Sequence, residues 1–252
     1  MRSETVILQS TPASPVRRLA LRELSGRDEL AVEGVDTRAA VALLDRLLDH
    51  SAAPRAGSMP ATERDALLAA LYRQLWGDRI VSTLSCPACH SKYDLSFSLR
   101  ELQQHLAAGR TAQGSNWRAP TAEEEMTAAE HGARDGVAAL AAVLGMSPAG
   151  MAAACAELEA QAPIIDVELT APCSECGAVQ DAHFDLQSFL LQRLLGERAL
   201  LLSEIHRLAG SYGWSLREIL ALPRSTRRAL IETGDAVARQ LASRGNLRWG
   251  RA

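Results

Sequence analysis

The sequence has few aromatic residues, a single lysine and no long apolar run. Aromatic residues make up 4% of the 252 residues, which leaves few platforms on which the bases of single-stranded nucleic acid could stack. The longest unbroken apolar run is Val137–Leu144, far shorter than the roughly 20 residues of a membrane-spanning helix. Because no basic start followed by an apolar stretch occurs at the N-terminus, we expect neither a membrane segment nor a secretory signal.

The sequence patterns of common catalytic sites are also missing. It has no G-x-S-x-G, Walker A, G-x-G-x-x-G or H-E-x-x-H motif, and its six histidines are scattered along the chain. We therefore predict that the protein is not an enzyme. Its 47% apolar and 23% charged residues are typical of a globular protein that is long enough to bury a core without disulfides.

The net charge is small, but it is unevenly distributed. A formal charge of −3 argues against a general polyanion binder. From Leu186 onward, 11 arginines stand against 5 acidic residues, a net +6 that leaves −9 for the first 185 residues. The basic part could face an acidic surface of a partner or of its own N-terminal part, or it could be a solvated helix face.

Four of the five cysteines form two C-x-x-C pairs, Cys86 with Cys89 and Cys173 with Cys176. A reducing compartment, which disfavours disulfides, is expected without an export signal, and the βαβ context of a thioredoxin-like redox motif is missing. Two such pairs fit a tetrahedral Cys₄ zinc site. Since four thiolates leave no open position, the predicted Zn²⁺ is structural; the alternatives are thiols without metal and a metal site that has degraded in this sequence. Cys155 is predicted to be a small buried residue.

The residues around each cysteine pair predict two β-hairpins. β-Branched or alternating segments flank both pairs, so each pair would lie at the tip of a hairpin, and two hairpins that share one ion form a zinc ribbon. Between Cys89 and Cys173 lie 83 residues, against roughly 15–20 in a simple ribbon. We therefore predict a helical insertion over about 107–162. His90 and His183 lie beside the cysteines and are predicted to be surface residues or neighbours of the ligands.

The predicted fold class is α+β, a split Cys₄ zinc ribbon with a helical insertion. Residues 1–78 would form an N-terminal strand and helical region, 79–185 the ribbon with its insertion, and 186–252 a C-terminal helical, arginine-rich module. Leu186–Ala209 is predicted to be one long helix whose wide apolar surface needs covering. Thr121 is predicted to cap a helix, and Ser215 with Glu218 to form a capping box.

Four segments of the chain resemble the motifs of one family. The first is L-R-E-L-S-G-R-D-E over 21–29, similar to an R-E-L-T-G-R-x-E segment, and the second is L-W-G-D-R-I over 75–80, before the first cysteine pair. The third is W-R-A-P-T over 117–121. The most specific is the series over 203–228, which resembles the pattern E-x-H-x-L-A-x-x-Y-x-W-S-E-x-x-I-L-x-L-P-x-x-R-R, with Leu216 where an acid is common and three residues instead of two between Pro223 and Arg227. Together they resemble the baseplate and hub-assembly family of contractile-tailed phages and phage-tail-like injection systems, in its zinc-knuckle form.

This resemblance implies a non-enzymatic structural or assembly component of a tail baseplate. Its partners would be baseplate, hub or tail-tube proteins, with no small-molecule substrate. It would act in the cytoplasm during assembly, and its presence in the finished particle is left open. Tyr212 and Trp214 are candidate anchors at a protein interface, since aromatic side chains concentrate binding energy there, although both could simply fill a turn. The other candidate partner-binding residues are Arg224, Arg227 and Arg228.

The competing prediction is a zinc-ribbon regulator that binds nucleic acid. Arg224, Arg227, Arg228 and Arg239 could contact phosphates. The negative net charge, and the interleaving of these arginines with leucines and acids, argue against this alternative. A zinc hydrolase would need an open coordination position, which four cysteine ligands do not leave.

Overall fold

The computed structural model describes residues 4–8, 16–49, 53–110, 117–147 and 150–246. Its strands are β1 (Glu4–Leu8), β2 (Arg17–Leu21), β3 (Arg79–Ser85), β4 (Lys92–Ser98), β5 (Asp166–Pro172) and β6 (Val179–Asp185). Its helices are α1 (Gly26–Leu30), α2 (Thr37–Leu47), α3 (Ala61–Trp76), α4 (Leu99–Ala108), α5 (Ala122–Ala129), α6 (Gly132–Val143), α7 (Met151–Gln161), α8 (Leu186–Gly196), α9 (Arg198–Tyr212), α10 (Leu216–Ala221) and α11 (Arg224–Asn246). The strands form three separate antiparallel pairs, β1–β2, β3–β4 and β5–β6. This mixture of helices and small hairpins confirms the α+β class.

Helix starts follow the capping signals of the sequence. Thr121 and Ser215 each begin a capping box: their hydroxyls accept the backbone N–H of Glu124 and Glu218, whose carboxylates accept the N–H of Thr121 and Ser215 in return. Such reciprocal bonds satisfy N–H groups that the first turn of a helix leaves without partners. Both predicted helix starts are confirmed.

The apolar segment Leu186–Ala209 is not one continuous helix. It divides into α8 and α9 at Glu197, whose carboxylate lies against arginines of α11. α8 buries four leucines, Leu186, Leu190, Leu191 and Leu194. On α9, Leu200 and Leu202 are each 56% exposed. The prediction of a single helix is wrong, and its apolar surface is only partly covered.

The chain forms two compact units that are not contiguous in sequence. One combines Glu23–Glu33 with the chain from Gln192 onward, and the other combines β1 and β2 with Gly34–Leu191. The first unit therefore joins α1 to the C-terminal helices, whereas the second holds both cysteine hairpins and the insertion. This division differs from the three consecutive segments predicted from the sequence.

Aromatic side chains connect the hairpins to the helices of the second unit. Phe97 of β4 meets Phe184 of β6 edge to face, with ring centroids 5.0 Å apart. Phe184 meets Phe189 of α8 at 5.4 Å, and Phe189 meets Tyr72 of α3 at 6.0 Å. Trp76 continues the series 5.0 Å from Tyr72. The scarce aromatic residues are thus concentrated where the hairpin stems join the helices, and such pairs add stability beyond their buried area.

A partly buried carboxylate joins α3 to the beginning of β5. The Ile165 backbone N–H donates to Asp65 Oδ2 at 2.6 Å. Loss of hydration raises the pKa of Asp65 from 3.8 to about 7. The Ile165 hydrogen bond and the positive charge of Arg64 lower this pKa, while Asp185 and Asp166 raise it. Burial is the largest contribution, so the folded protein favours the neutral acid.

We expect this carboxyl to make the protein less stable as the pH rises from 3.8 to about 7. The folded state binds the proton more tightly than the unfolded state, so stability falls wherever the folded state alone stays protonated, and it levels off above the folded pKa. In Asp65→Asn this fall should be missing from urea denaturation curves measured across the range. Asp135→Asn, at an exposed position, is the control. Parallel pH profiles for wild type and Asp65→Asn would contradict the prediction.

Candidate metal centre

Two hairpins with matching geometry present the four cysteines. β3 pairs with β4 from Arg79 opposite Ser98 to Ser85 opposite Lys92. β5 pairs with β6 from Asp166 opposite Asp185 to Pro172 opposite Val179. Each cysteine pair lies in the loop that immediately follows the first strand, as the flanking sequence predicts. The predicted hairpins are confirmed.

The two cysteine loops have the same hydrogen bonds. In the first, Cys86 N–H donates to Ser91 O at 2.9 Å, and His90 N–H donates to Cys86 O at 2.9 Å. In the second, Cys173 N–H donates to Ala178 O at 2.8 Å, and Gly177 N–H donates to Cys173 O at 2.9 Å. These bonds close each loop into a tight knuckle.

The four sulfurs gather into one cluster. All four Sγ atoms lie within 4.8 Å of one another; Cys86 Sγ is 3.7 Å from Cys176 Sγ, and Cys89 Sγ is 3.8 Å from Cys173 Sγ. A disulfide requires about 2.05 Å, and the cysteines are free thiols. Four sulfurs at about 2.3 Å from a tetrahedral ion would lie about 3.8 Å apart. The cluster therefore has the dimensions of a Cys₄ metal site.

Burial of the cluster is asymmetric. The first cysteine of each knuckle is buried, with Cys86 1% and Cys173 3% exposed. They pack with Tyr93 and Ala171 in a small core between the hairpins. The second cysteine of each knuckle, Cys89 or Cys176, lies toward solvent. An ion at the centre would be held against the hairpin core on one side and reached through the knuckle tips on the other.

The thiols differ in their affinity for protons. Hydrogen bonds from the backbone N–H and the hydroxyl of Ser91, and from the Cys176 thiol, lower the pKa of Cys89 to about 6. The Ala178 N–H lowers the pKa of Cys176, but hydrogen bonds to the thiols of Cys89 and Cys86 outweigh it and raise this pKa to about 12. Cys176 therefore keeps its proton at neutral pH, and an ion that binds this sulfur must displace it.

A side-chain bridge links the hairpins beside the sulfurs. Gln180 Nε2 of β6 donates to the Tyr93 hydroxyl of β4 at 2.5 Å. Burial raises the pKa of Tyr93, so the hydroxyl stays protonated. Because Tyr93 also packs against Cys86 and Cys173, this bridge supports the buried half of the cluster.

Each knuckle requires a left-handed residue after its second cysteine. In the second knuckle this is Gly177, with φ +73°, and in the first it is His90, with φ +58°. A side chain in this region costs roughly 1–2 kcal/mol, although histidine tolerates it better than most residues. His90 is therefore a strained position in an otherwise equivalent loop.

We expect Gly177→Ala to lower the free energy of unfolding by about 1 kcal/mol, because alanine is strained at this φ. His90→Gly should be neutral or slightly stabilising, since relief of strain offsets the greater flexibility of glycine in the unfolded chain. Urea denaturation of metal-loaded protein measures both effects. A loss in His90→Gly as large as that in Gly177→Ala would show that the His90 side chain itself contributes.

The remaining cysteine and histidines lie outside the cluster. Cys155 is exposed on α7, so its predicted burial is wrong; the helix turns this residue to solvent and buries Ala154 instead. His90 is exposed. On the β5–β6 hairpin, His183 Nε2 lies 3.2 Å from Asp166 Oδ1 and its Nδ1 3.1 Å from Glu168 Oε1. In the part of the chain that the structure describes, the possible metal ligands that meet are the four cysteines.

The C-terminal unit places Arg227 inside rather than at its surface. Its side chain is 0% exposed. Its guanidinium donates to Glu29 Oε1 at 2.7 Å, to Glu204 Oε2 at 3.0 Å and to Leu222 O at 3.0 Å. This one side chain therefore joins α1, α9 and the end of α10.

Two neighbouring arginines also form ion pairs with carboxylates of this unit. Arg224, 4% exposed, forms an ion pair with Glu197. Arg228 Nε lies 3.2 Å from Glu204 Oε1, and its Nη2 3.4 Å from Glu197 Oε2. Loss of hydration raises the pKa of Glu29, while Arg227 and Arg224 lower it. We call the three arginines with Glu29, Glu197 and Glu204 the ion-pair cluster.

The ion-pair cluster corrects two of the predicted partner-binding residues. Arg224 and Arg227 are buried and already paired, so they reach neither a partner nor a phosphate in this structure. The sequence suggested exposure because arginine is rarely buried without partners, and the carboxylates that pair with these two are distant in the chain. Arg228, with 41% of its side chain exposed, stays a predicted contact residue.

Tyr212 and Trp214 lie together at the end of α9. Their rings stack with centroids 4.7 Å apart and an interplanar angle of 20°. Gly213, with φ +67°, ends α9 between them in the left-handed conformation, which lets the two side chains meet. Tyr212 is 41% exposed and Trp214 is half-buried. The predicted role of this pair in partner binding stays a prediction.

Two clefts beside α5 use their charged residues internally. One, about 270 Å³ in volume, lies between α2 and α5, where Arg38 pairs with Glu130 and Arg64 with Glu125. The other, about 220 Å³, lies between α5 and α6. In it, Glu124 accepts hydrogen bonds from Arg118, which lower its pKa to about 2.

Comparison with known proteins adds no assignment. Within the described ranges, no helix has both the length and the apolar character needed to cross a membrane. No family model, curated protein or solved structure matches this chain.

Proposed function

We propose that Cys86, Cys89, Cys173 and Cys176 bind one Zn²⁺ as a structural ion. The observation that carries this proposal is the cluster of four sulfurs within 4.8 Å of one another. Thiolates are soft ligands, and four of them in a tetrahedron favour zinc. The ion would join the β3–β4 and β5–β6 hairpins into a split zinc ribbon, with α4 to α7 as the insertion between them.

We further propose that the protein is a non-enzymatic component of a contractile tail baseplate, or a factor that assembles one. The support is the resemblance of four segments to that family. Four thiolates fill the coordination sphere of zinc and leave no position for a substrate or a reactive water. Baseplate, hub or tail-tube proteins would be the partners, bound through protein–protein contacts.

The ion-pair cluster supplies a physical reason for two of these motifs to occur together. Glu29 ends the first motif, while Glu204 and Arg227 belong to the last. Arg227 binds both carboxylates, so the two motif segments complete a single buried cluster.

The test is to isolate contractile particles from the native host, with and without an intact gene. If the chain is found by mass spectrometry in wild-type particles, it is a structural component. Particles that need the gene but lack the protein would identify an assembly factor. If particles form equally well with and without the gene, the baseplate assignment is refuted. Zinc is measured separately, by elemental analysis of the purified chain, with one ion per chain expected.

A further inference from the structure

We infer that the C-terminal unit binds an acidic protein segment through an aromatic–arginine patch. This patch consists of Tyr212, Trp214, Leu216, Arg217 and Arg27. It lies within one compact unit, at the junction of α9, α10 and α1. The inference rests on the proposed function only for the source of the partner, a tail protein; the chemistry of the partner follows from the patch itself.

The apolar half of the patch is partly open to solvent. Tyr212 is 41% exposed and Leu216 is 56% exposed, and Trp214 lies half-buried against Tyr212. The stacked rings hold each other in place, so little side-chain entropy would be lost on binding. Tyrosine, tryptophan and arginine are the residue types that contribute most to the free energy of protein–protein binding.

The charged half of the patch lacks carboxylate partners. The Arg27 guanidinium donates to the Arg217 carbonyl oxygen at 3.2 Å, which places it beside Arg217. Among the residues that the structure describes, no carboxylate forms an ion pair with Arg27 or Arg217. Glu218 is held by the capping box of α10 through Ser215. The patch therefore presents two exposed cations, and one of them, Arg217, follows the exposed Leu216 directly in α10.

The arginines of the patch differ from those of the ion-pair cluster, and this difference indicates the charge of the partner. Inside the same unit, three glutamates neutralise Arg224, Arg227 and Arg228. Arg27 and Arg217 can instead bind carboxylates that a partner supplies. Electrostatic complementarity of this kind favours the correct partner and speeds its association. The exposed leucine and aromatic rings require an apolar residue beside those carboxylates.

A protein segment fits these features better than a nucleic acid does. The two aromatic rings stack on each other, so one face of each is already covered and cannot receive a base. Proteins that bind single strands use a basic groove with several separate stacking platforms. Two arginines beside one aliphatic side chain match an acidic, partly apolar peptide instead.

The first experiment measures binding with peptides of known composition. The probe is an amphipathic helical peptide with leucines on one face and glutamates flanking them, and its control has glutamine at every glutamate position. The full zinc-loaded chain is labelled with ¹⁵N, and the Trp214 indole signal is assigned with Trp214→Phe. We expect the glutamate peptide to shift this signal and to bind about tenfold more tightly than the glutamine peptide at low salt.

Variants separate charge from apolar contact. Arg27→Gln with Arg217→Gln should abolish the preference for the glutamate peptide while leaving the thermal midpoint unchanged, because both side chains are exposed. Tyr212→Ala with Trp214→Ala should abolish binding of both peptides. Leu200→Ala with Leu202→Ala, at two other exposed apolar positions on α9, is the matched control and should bind like wild type.

Several results would overturn the inference. Equal affinity for both peptides, an unchanged Trp214 signal, or tighter binding of oligothymidylate than of the glutamate peptide would each do so. If the double alanine variant unfolds, the arginine pair decides the question, since its effect does not depend on the aromatic rings. If the glutamate peptide binds preferentially but particles form equally well without the gene, the baseplate role is refuted and the binding patch is supported. The reverse result would refute the patch alone.

Discussion

If the proposed zinc site is correct, replacing Cys173 by serine is expected to abolish zinc binding and to destabilise the second unit more than any exposed substitution. Cys173 is 3% exposed and packs between the hairpins, so the variant loses a ligand and leaves a buried hydroxyl. Structural zinc contributes on the order of 10 kcal/mol in small zinc-dependent peptides. Here the aromatic contacts also hold the hairpins, so we expect a loss of about 5 kcal/mol. For a chain of this size that is a fall in thermal midpoint of roughly 10–20 °C.

The chain supplies its own control for this experiment. Cys155→Ser removes a thiol from an exposed position on α7, and it should leave both the zinc content and the midpoint as in wild type. Elemental analysis and calorimetry, each with and without a chelator, measure the two quantities. If Cys173→Ser and Cys155→Ser behave alike, the sulfurs do not hold a stabilising ion, and the proposed zinc ribbon fails.

Replacing Arg227 by methionine is expected to destabilise the C-terminal unit by about 3–5 kcal/mol. Methionine preserves much of the side-chain volume, but it leaves Glu29 and the shared carboxylate of Glu204 without the guanidinium that binds them. Removing one member of a buried ion pair is costly because the other charge stays behind with no compensation. Urea denaturation followed by tryptophan fluorescence, with Trp214 in the same unit, would measure the loss.

The pH dependence and a second substitution make this prediction specific. Burial raises the pKa of Glu29 and Arg227 counteracts it, so without Arg227 the folded pKa should rise further. The variant should then recover stability as the pH falls, because protonation neutralises the stranded carboxylate. Glu29→Gln added to Arg227→Met should restore part of the loss. Arg239→Met, at an exposed position on α11, is the control; an equal loss there would contradict the role of burial.

The sequence was most informative where interactions are local. The strands beside each cysteine pair, the tight knuckles and the capping boxes at Thr121 and Ser215 all depend on residues within a few positions of one another. Spacing predicts such features because the backbone geometry of a turn or of a first helical turn leaves few alternatives. The predicted burial of Cys155 was wrong because the alanine-rich sequence of its helix does not indicate which face is buried.

The contacts that could not be predicted from the sequence join distant parts of the chain. Glu29 meets Arg227 across 198 positions, and Asp65 meets the Ile165 backbone across 100. Composition showed an excess of arginine in the C-terminal part, but it could not show which arginines have buried carboxylate partners. The one available signal was the joint occurrence of the first and last motifs, which contain both members of the Glu29–Arg227 pair.

The sequence by itself determined the α+β class, the cysteine hairpins and the helix starts, because neighbouring residues decide these through backbone hydrogen bonds and turn conformations. Only the tertiary structure decided that four thiols separated by a long insertion converge within 4.8 Å. It also decided that α1 belongs with the C-terminal helices, and that Arg224 and Arg227 lie inside while Arg27 and Arg217 face outward. Burial of a charge depends on whether packing brings an opposite charge to it, and that is a property of the assembled chain.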